Sequence, residues 1–210
     1  MKTRIFNLII IDESGSMCSI KKEAIDSVNE TIQTIRSAQK KYDDQEHYIT
    51  IVTFNDEVKC VNNCATVNEI KELTPATYNP DCCTALYDAM GVSINKLRPK
   101  VAEEDKVLVT IVTDGYENAS KEYNSISIKA LVEEMKSKGW VFAYIGANQD
   151  EKQVAATISI TNVINWEATP VGAKEMTSKV NNSRSRLFER IRCCCFDAAE
   201  ENMNFFSDKE

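Results

Sequence analysis

Apolar and polar positions alternate along this chain in blocks of two kinds. Near-continuous apolar runs at 5–11, 48–54, 106–113 and 140–145 read as strands buried on both faces. The other blocks are amphipathic. Over 20–41, Ile20, Ala24, Ile25, Val28, Ile32 and Ile35 recur mostly at three- and four-residue spacings with polar residues between, which predicts a helix. Similar patterns predict helices over 85–97, ending before Pro99, and over 127–138, with Gly139 as C-cap. A third, edge strand is expected at 57–61 after the Asn55-Asp56 turn. Residues 62–80 read as irregular, with a short helix at 67–73 and loop signals at Pro75, Asn79 and Pro80. A helix from about Asp150, a short strand at 163–165 and a final helix over 174–192 complete the pattern.

Buried strands separated by helices imply a mostly parallel sheet covered on both sides. Ligands of such sheets bind at the carboxyl ends of the strands, near a topological switch point. With no repeat or low-complexity linker in view, one domain is expected over 1–192, followed by a tail at 193–210 that is partly ordered or helical.

Composition narrows the function. The 210 residues are 43% hydrophobic and 27% charged, ordinary for a globular domain. The net charge of −7 speaks against nucleic-acid and anionic-membrane surfaces, which need basic patches. No apolar run approaches the ~20 residues of a membrane span. The apolar stretch behind Met1-Lys2-Thr3-Arg4 is too short for a signal-peptide core, so a cytoplasmic location is expected. The cysteines at 18, 60, 64, 82, 83 and 193–195 are then expected as reduced thiols. No C-x-x-C pair points to structural zinc.

The candidate chemistry lies where apolar runs end. The first run closes in Asp12-Glu13-Ser14-Gly15-Ser16-Met17, which delivers one carboxylate and two hydroxyls at alternate positions. Three oxygen ligands from one loop suit a hard divalent cation. Thr84 opens the helix after Asn79-Pro80-Asp81-Cys82-Cys83, and Asp114-Gly115 closes the run over 106–113. On the expected sheet all three segments share one edge.

These motifs, Asp12-Glu13-Ser14-Gly15-Ser16-Met17, Thr84-Ala85-Leu86-Tyr87-Asp88-Ala89 and Thr113-Asp114-Gly115, resemble the von Willebrand factor A domain and its metal-ion-dependent adhesion site. The resemblance spans roughly residues 5–190 and is to intracellular, bacterial-type members. It implies a three-layer, Rossmann-like α/β fold whose mostly parallel sheet has one antiparallel edge strand. It also implies that Ser14 and Ser16 bind a divalent cation directly, with Asp12, Thr84 and Asp114 completing the shell, some through water. Mg²⁺ is the expected ion, with Mn²⁺ or Ca²⁺ as alternatives. One coordination position is left for an Asp or Glu of a partner protein, in a subunit or adaptor of a larger assembly. In the family, ligand exchange is coupled to movement of the last helix, here 174–192.

The same residues admit other classes of function. A phosphatase of the haloacid-dehalogenase type also places an aspartate at the end of its first strand. It needs a second carboxylate two residues later, where this chain has Ser14. A metal-free structural module is the third alternative. Glu13 and Met17 are expected to have no ligand role, and Asp88 to be a surface charge or a hydrogen-bond partner of a ligand. His47 is expected in a loop, Trp140 and Trp166 in packing, and Arg184, Arg186, Arg190 and Arg192 on a solvated face. Cys82-Cys83 stand where the family often has glycines, which leaves the placement of Thr84 open.

Overall fold

The computed structural model describes residues 2–147, 151–167 and 169–207. Its elements run β1 (Thr3–Asp12), α1 (Lys21–Lys41), β2 (Gln45–Phe54), β3 (Val58–Thr66), α2 (Leu86–Leu97), β4 (Lys106–Thr113), α3 (Ser125–Ser137), β5 (Trp140–Ala147), α4 (Glu151–Thr157), β6 (Val163–Trp166), α5 (Pro170–Arg192) and α6 (Ala198–Asn204). Among the described residues they build a six-stranded sheet of order β3-β2-β1-β4-β5-β6. Only β3 is antiparallel to its neighbour.

β1 is the pivot. The chain leaves it toward β2 on one side and returns to β4 on the other, so the switch point lies between the carboxyl ends of β1 and β4. Alternation along β1 explains why its sequence is almost entirely apolar. Ile5, Ile9 and Ile11 enter a core with α1 and α5, while Phe6, Leu8 and Ile10 enter a second core with α2 and α3. Trp140 and Trp166 are buried as expected.

Several expectations are corrected. The segment expected as a helix at 67–73 is instead a turn followed by irregular chain, pinned by polar contacts. The Asn62 and Asn29 side chains each bond the backbone there, at Lys71 and Leu73. The strand expected at 57–61 continues to Thr66, with register shifts against β2. A 3₁₀ turn over Gly15–Ile20 precedes α1, because the polar loop must clear the sheet edge before helical burial begins. Asp150 lies outside the described residues, and α4 is described from Glu151.

His47 is not in a loop. It lies within β2, 1% exposed, edge-on to the Phe188 ring, with Nε2 bonded to Gln45 Oε1. Arg184 is likewise not on a solvated face. It is fully buried beneath α5, donating to Asn7 Oδ1 at 2.9 Å and Thr110 Oγ1 at 2.8 Å. The residues around it explain the difference. Asn7 and Thr110 are the polar positions on the α5-facing side of β1 and β4, and they need a donor. Arg190 instead pairs with Glu200 and Glu201, fastening α6 to α5. Asn202 of α6 bonds the β5 backbone at Trp140 and Phe142.

Candidate metal-binding site

Asp12 is the last residue of β1 and fully buried. Its Oδ1 accepts from the Ser14 amide at 2.7 Å, and its Oδ2 accepts from the Thr113 hydroxyl at 2.6 Å. The amide bond turns the chain sharply enough to bring Ser14 back over the strand end. Ser14 and Ser16 hydroxyls lie 3.1 Å apart, and Ser16 donates to Asp114 Oδ1 at 2.5 Å. Asp114 follows the last residue of β4. The first and third sequence segments therefore meet at the switch point through direct hydrogen bonds.

Thr84 joins them from a third direction. A Cβ placed on Gly115 would lie 2.8 Å from Thr84 Oγ1 and 3.5 Å from both Asp12 Oδ2 and Ser16 Oγ. Oxygens from the first two segments thus converge on a glycine of the third, where any side chain would crowd them. All these donors are hydroxyl or carboxylate oxygens, the set a hard divalent cation prefers, and the residues fit such an ion. Gly115→Ala is expected to push the Thr84 hydroxyl away and to destabilise the protein by about 1–3 kcal/mol. Denaturant unfolding of the variant checks this, and an unchanged midpoint would show that the loop yields freely.

Electrostatics point the same way. Burial raises the Asp12 pKa to about 6, and its hydrogen bonds from Thr113 and Ser14 only partly offset this. Asp114 is also raised, chiefly by burial. Two carboxylates taken out of water beside each other disfavour their own charge, and a cation would relieve both.

The Cys82-Cys83 question has a structural answer. Cys82 takes φ +67°, the left-handed conformation a glycine adopts without strain. Its carbonyl accepts from the Gly15 amide at 3.1 Å. Thr84 is then locked by Asn118, whose Oδ1 accepts from the Thr84 amide at 2.9 Å and whose own amide donates to the Thr84 carbonyl at 3.0 Å. The thiols of Cys82 and Cys83 are exposed.

Asp88 has neither of its expected roles. Its carboxylate accepts from the amides of Lys121, Glu122 and Tyr123 and so holds the loop after Asp114. Glu117 does the converse, reaching back to the Tyr87 amide at the start of α2. Sequence gives no role to Asn118, Glu117 or Tyr78, and it marks Thr113 only as part of the Thr113-Asp114-Gly115 motif, as the hydroxyl residue directly before Asp114.

Residues 8–182 match the family model for the von Willebrand factor type A domain. The chain belongs to this family. Von Willebrand factor type A domains are protein-interaction modules, and the sheet order and single antiparallel edge strand are those of their Rossmann-like fold. Similar solved structures include a von Willebrand factor type A protein from Catenulispora acidiphila (TM-score 0.58, 13% identity), aligned over 87% of this chain and 43% of that one. The PilB minor pilin from Streptococcus sanguinis matches with TM-score 0.60 and 13% identity over 89% of this chain and 62% of the pilin. Proximal thread matrix protein 1 from the mussel byssus, with a zinc-occupied MIDAS motif, matches with TM-score 0.57 and 15% identity over 88% and 46%. The chain thus spans between 43% and 62% of these relatives' lengths. No curated protein sequence matches it. Among the described residues of this von Willebrand factor type A domain, no helix is long and apolar enough to cross a membrane.

Proposed function

We propose that this domain is a non-enzymatic protein-binding module that holds a divalent cation, Mg²⁺ by preference, through Asp12, Ser14, Ser16, Thr84 and Asp114, and uses it to grip an Asp or Glu of a partner protein. The observation that carries this reading is the convergence of Thr84, Asp12 and Ser16 oxygens around Gly115. When bound, the cation supplies a Lewis-acidic point at the sheet edge that favours an incoming carboxylate. The chain's own residues set how strongly. Ser14 and Ser16, the residues taken to touch the ion directly, are neutral hydroxyls, so the ion stays electrophilic toward a partner carboxylate even though Asp12 and Asp114 balance its formal charge. Loop backbones braced by Asn118, Asp88 and Glu117 keep the donors in place without a partner.

Ser14 also supports binding over hydrolysis. A carboxyl group two residues after the strand-end aspartate would be needed as general acid, and a hydroxyl of ordinary acidity does not serve. The zinc in the MIDAS of the mussel protein supports occupancy of such sites by divalent ions other than magnesium. A cytoplasmic setting, as part of a larger assembly, belongs to the same proposal.

Calorimetric titration tests it. Mg²⁺ or Mn²⁺ is expected to bind saturably, and Ser14→Ala to abolish that binding. A peptide bearing a single Glu is expected to bind only with metal present and not after EDTA. Heatless titration up to millimolar metal, with and without peptide, would reject the proposal in favour of a metal-free module. Turnover of a generic phosphate ester, lost in Asp12→Asn, would reject it in favour of catalysis.

A further inference from the structure

We infer that Glu13, not itself a ligand, is the positioning residue that sets where Thr84 stands. This rests on the metal-site reading above.

Four hydrogen bonds lace the loop before Thr84 to the end of β1. The Tyr78 hydroxyl donates to the Asp12 carbonyl at 2.5 Å, and the Asn79 amide donates to Glu13 Oε1 at 2.5 Å. The Asp81 amide donates to the Glu13 carbonyl at 2.9 Å, and the Gly15 amide to the Cys82 carbonyl at 3.1 Å. Three of these involve backbone of the 12–15 segment and survive any substitution at 13 that keeps the chain path. The Asn79 bond is the one made by the side chain at position 13, so it is the one that a substitution there can tune.

The Glu13 carboxylate is an expensive way to make that bond. The residue is 3% exposed, and Oε2 is buried with no hydrogen-bond partner. A buried carboxylate with an unpaired oxygen costs more than an apolar residue at the same place. What the position gains is reach. The β1–β2 ladder continues through the Glu13 amide to the Phe54 carbonyl at 2.6 Å, so the side chain projects from a fixed base. The acceptor is held where the loop turns at Asn79-Pro80. From there the chain passes through Cys82, left-handed at φ +67°, to Thr84. No glycine lies between residues 79 and 84 to absorb a change of path, so a shift at Asn79 is transmitted to the Thr84 hydroxyl. The charge of Glu13 is not what the site uses; the length and acceptor of the side chain are.

Two variants separate reach from charge. Glu13→Gln keeps length and acceptor without the charge, and Glu13→Asp keeps the charge but falls short of Asn79. In EDTA, amide hydrogen exchange at Asn79, Asp81 and Thr84 is expected to accelerate about tenfold in Glu13→Asp and to stay within twofold of wild type in Glu13→Gln. Calorimetry with Mg²⁺ is expected to show affinity about tenfold weaker for Glu13→Asp, unchanged for Glu13→Gln, and no further loss when Glu13→Asp is added to Thr84→Ala. Equal loss in the Gln and Asp variants would overturn the inference by making charge the cause. An additive double variant would overturn it by showing a general effect not routed through Thr84. Unchanged exchange in Glu13→Asp would overturn it without reference to metal. Wild-type protein that binds no Mg²⁺ but shows the expected exchange pattern would overturn the metal reading and leave the positioning of Thr84 supported.

Discussion

In EDTA at neutral pH, Asp12→Asn is expected to be more stable than the wild type and blind to Mg²⁺. The buried Asp12 carboxyl has its pKa raised from 3.8 to about 6. At 1.36 kcal/mol per unit, the folded state above that pKa carries a penalty of up to about 3 kcal/mol for keeping the group ionised. Asparagine removes the penalty and keeps the geometry. Its oxygen still accepts from the Ser14 amide, and its NH₂ group meets the Thr113 hydroxyl. That hydroxyl can turn to donate to the Gly115 carbonyl, already 3.2 Å away. Urea unfolding with and without Mg²⁺ makes the measurement. A variant less stable than wild type in EDTA would show that Asp12 is held as a favourable anion.

The pH dependence sharpens the test. For Asp12 the folded pKa is above the unfolded one, so falling pH between about 6 and 3.8 protonates the folded state first and adds stability. His47 works in the opposite sense. Burial, with Arg184 nearby, lowers its pKa from 6.5 to about 4. Falling pH between those values protonates the unfolded state first and removes up to about 3 kcal/mol. In the wild type the Asp12 and His47 contributions oppose each other across pH 6.5 to 4, while Asp114 and Glu201, also raised by burial, act in the same sense as Asp12. Asp12→Asn lacks the Asp12 contribution, so its stability in EDTA relative to the wild type should fall by up to about 3 kcal/mol across that range.

The second large effect concerns Arg184. Its guanidinium is fully buried and, among the described residues, bonded only to the neutral Asn7 and Thr110 with Nε unpartnered; burial lowers its pKa from 12.5 to about 9. Such a cation costs the fold at every pH below about 9, by a ceiling on the order of 5 kcal/mol. Simple truncation does not recover this. Arg184→Ala leaves a hole and two buried oxygens without their donor, and should destabilise by about 3 kcal/mol. Replacing the whole polar set by Arg184→Met, Asn7→Leu and Thr110→Val fills the space with apolar groups. That triple variant is expected to exceed wild-type stability by about 1–4 kcal/mol. Thermal unfolding at pH 7 decides it. A triple variant weaker than wild type would mean that the guanidinium stabilises α5 on the sheet.

Much of the fold was legible because the central strands are buried on both faces, and double burial writes itself as an uninterrupted apolar run. Of the five proposed donors, Asp12, Ser14, Ser16 and Asp114 stand out because they sit where those runs stop, whereas Thr84 follows a polar loop and stands out only through the family resemblance. What was hidden has one physical cause. A polar side chain that is buried and satisfied looks, in sequence, like one that is solvated. Arg184 among Arg186, Glu189 and Arg190 has the spacing of an exposed helix face, and only Asn7 and Thr110, far away in sequence, make it a core residue. His47 at the start of an apolar run looks like loop for the same reason. Asp88 and Glu117 spend their carboxylates on loop amides, a use with no periodicity. The loop at 67–73 carries enough apolar residues for a helix, but Asn29 and Asn62 claim its backbone.

The place of β1 in the sheet has a kinetic consequence. Asp12 and Asp114 end neighbouring strands, yet β1 and β4 pair Ile5 with Lys106 and Ile11 with Val112. The loop closed by that contact contains β2, β3 and α2, and such distant parallel pairings are slow to form. The donor set is therefore expected to form late in folding. An ion that binds it meets a finished protein, and should lengthen the lifetime of the native state while leaving the refolding rate untouched.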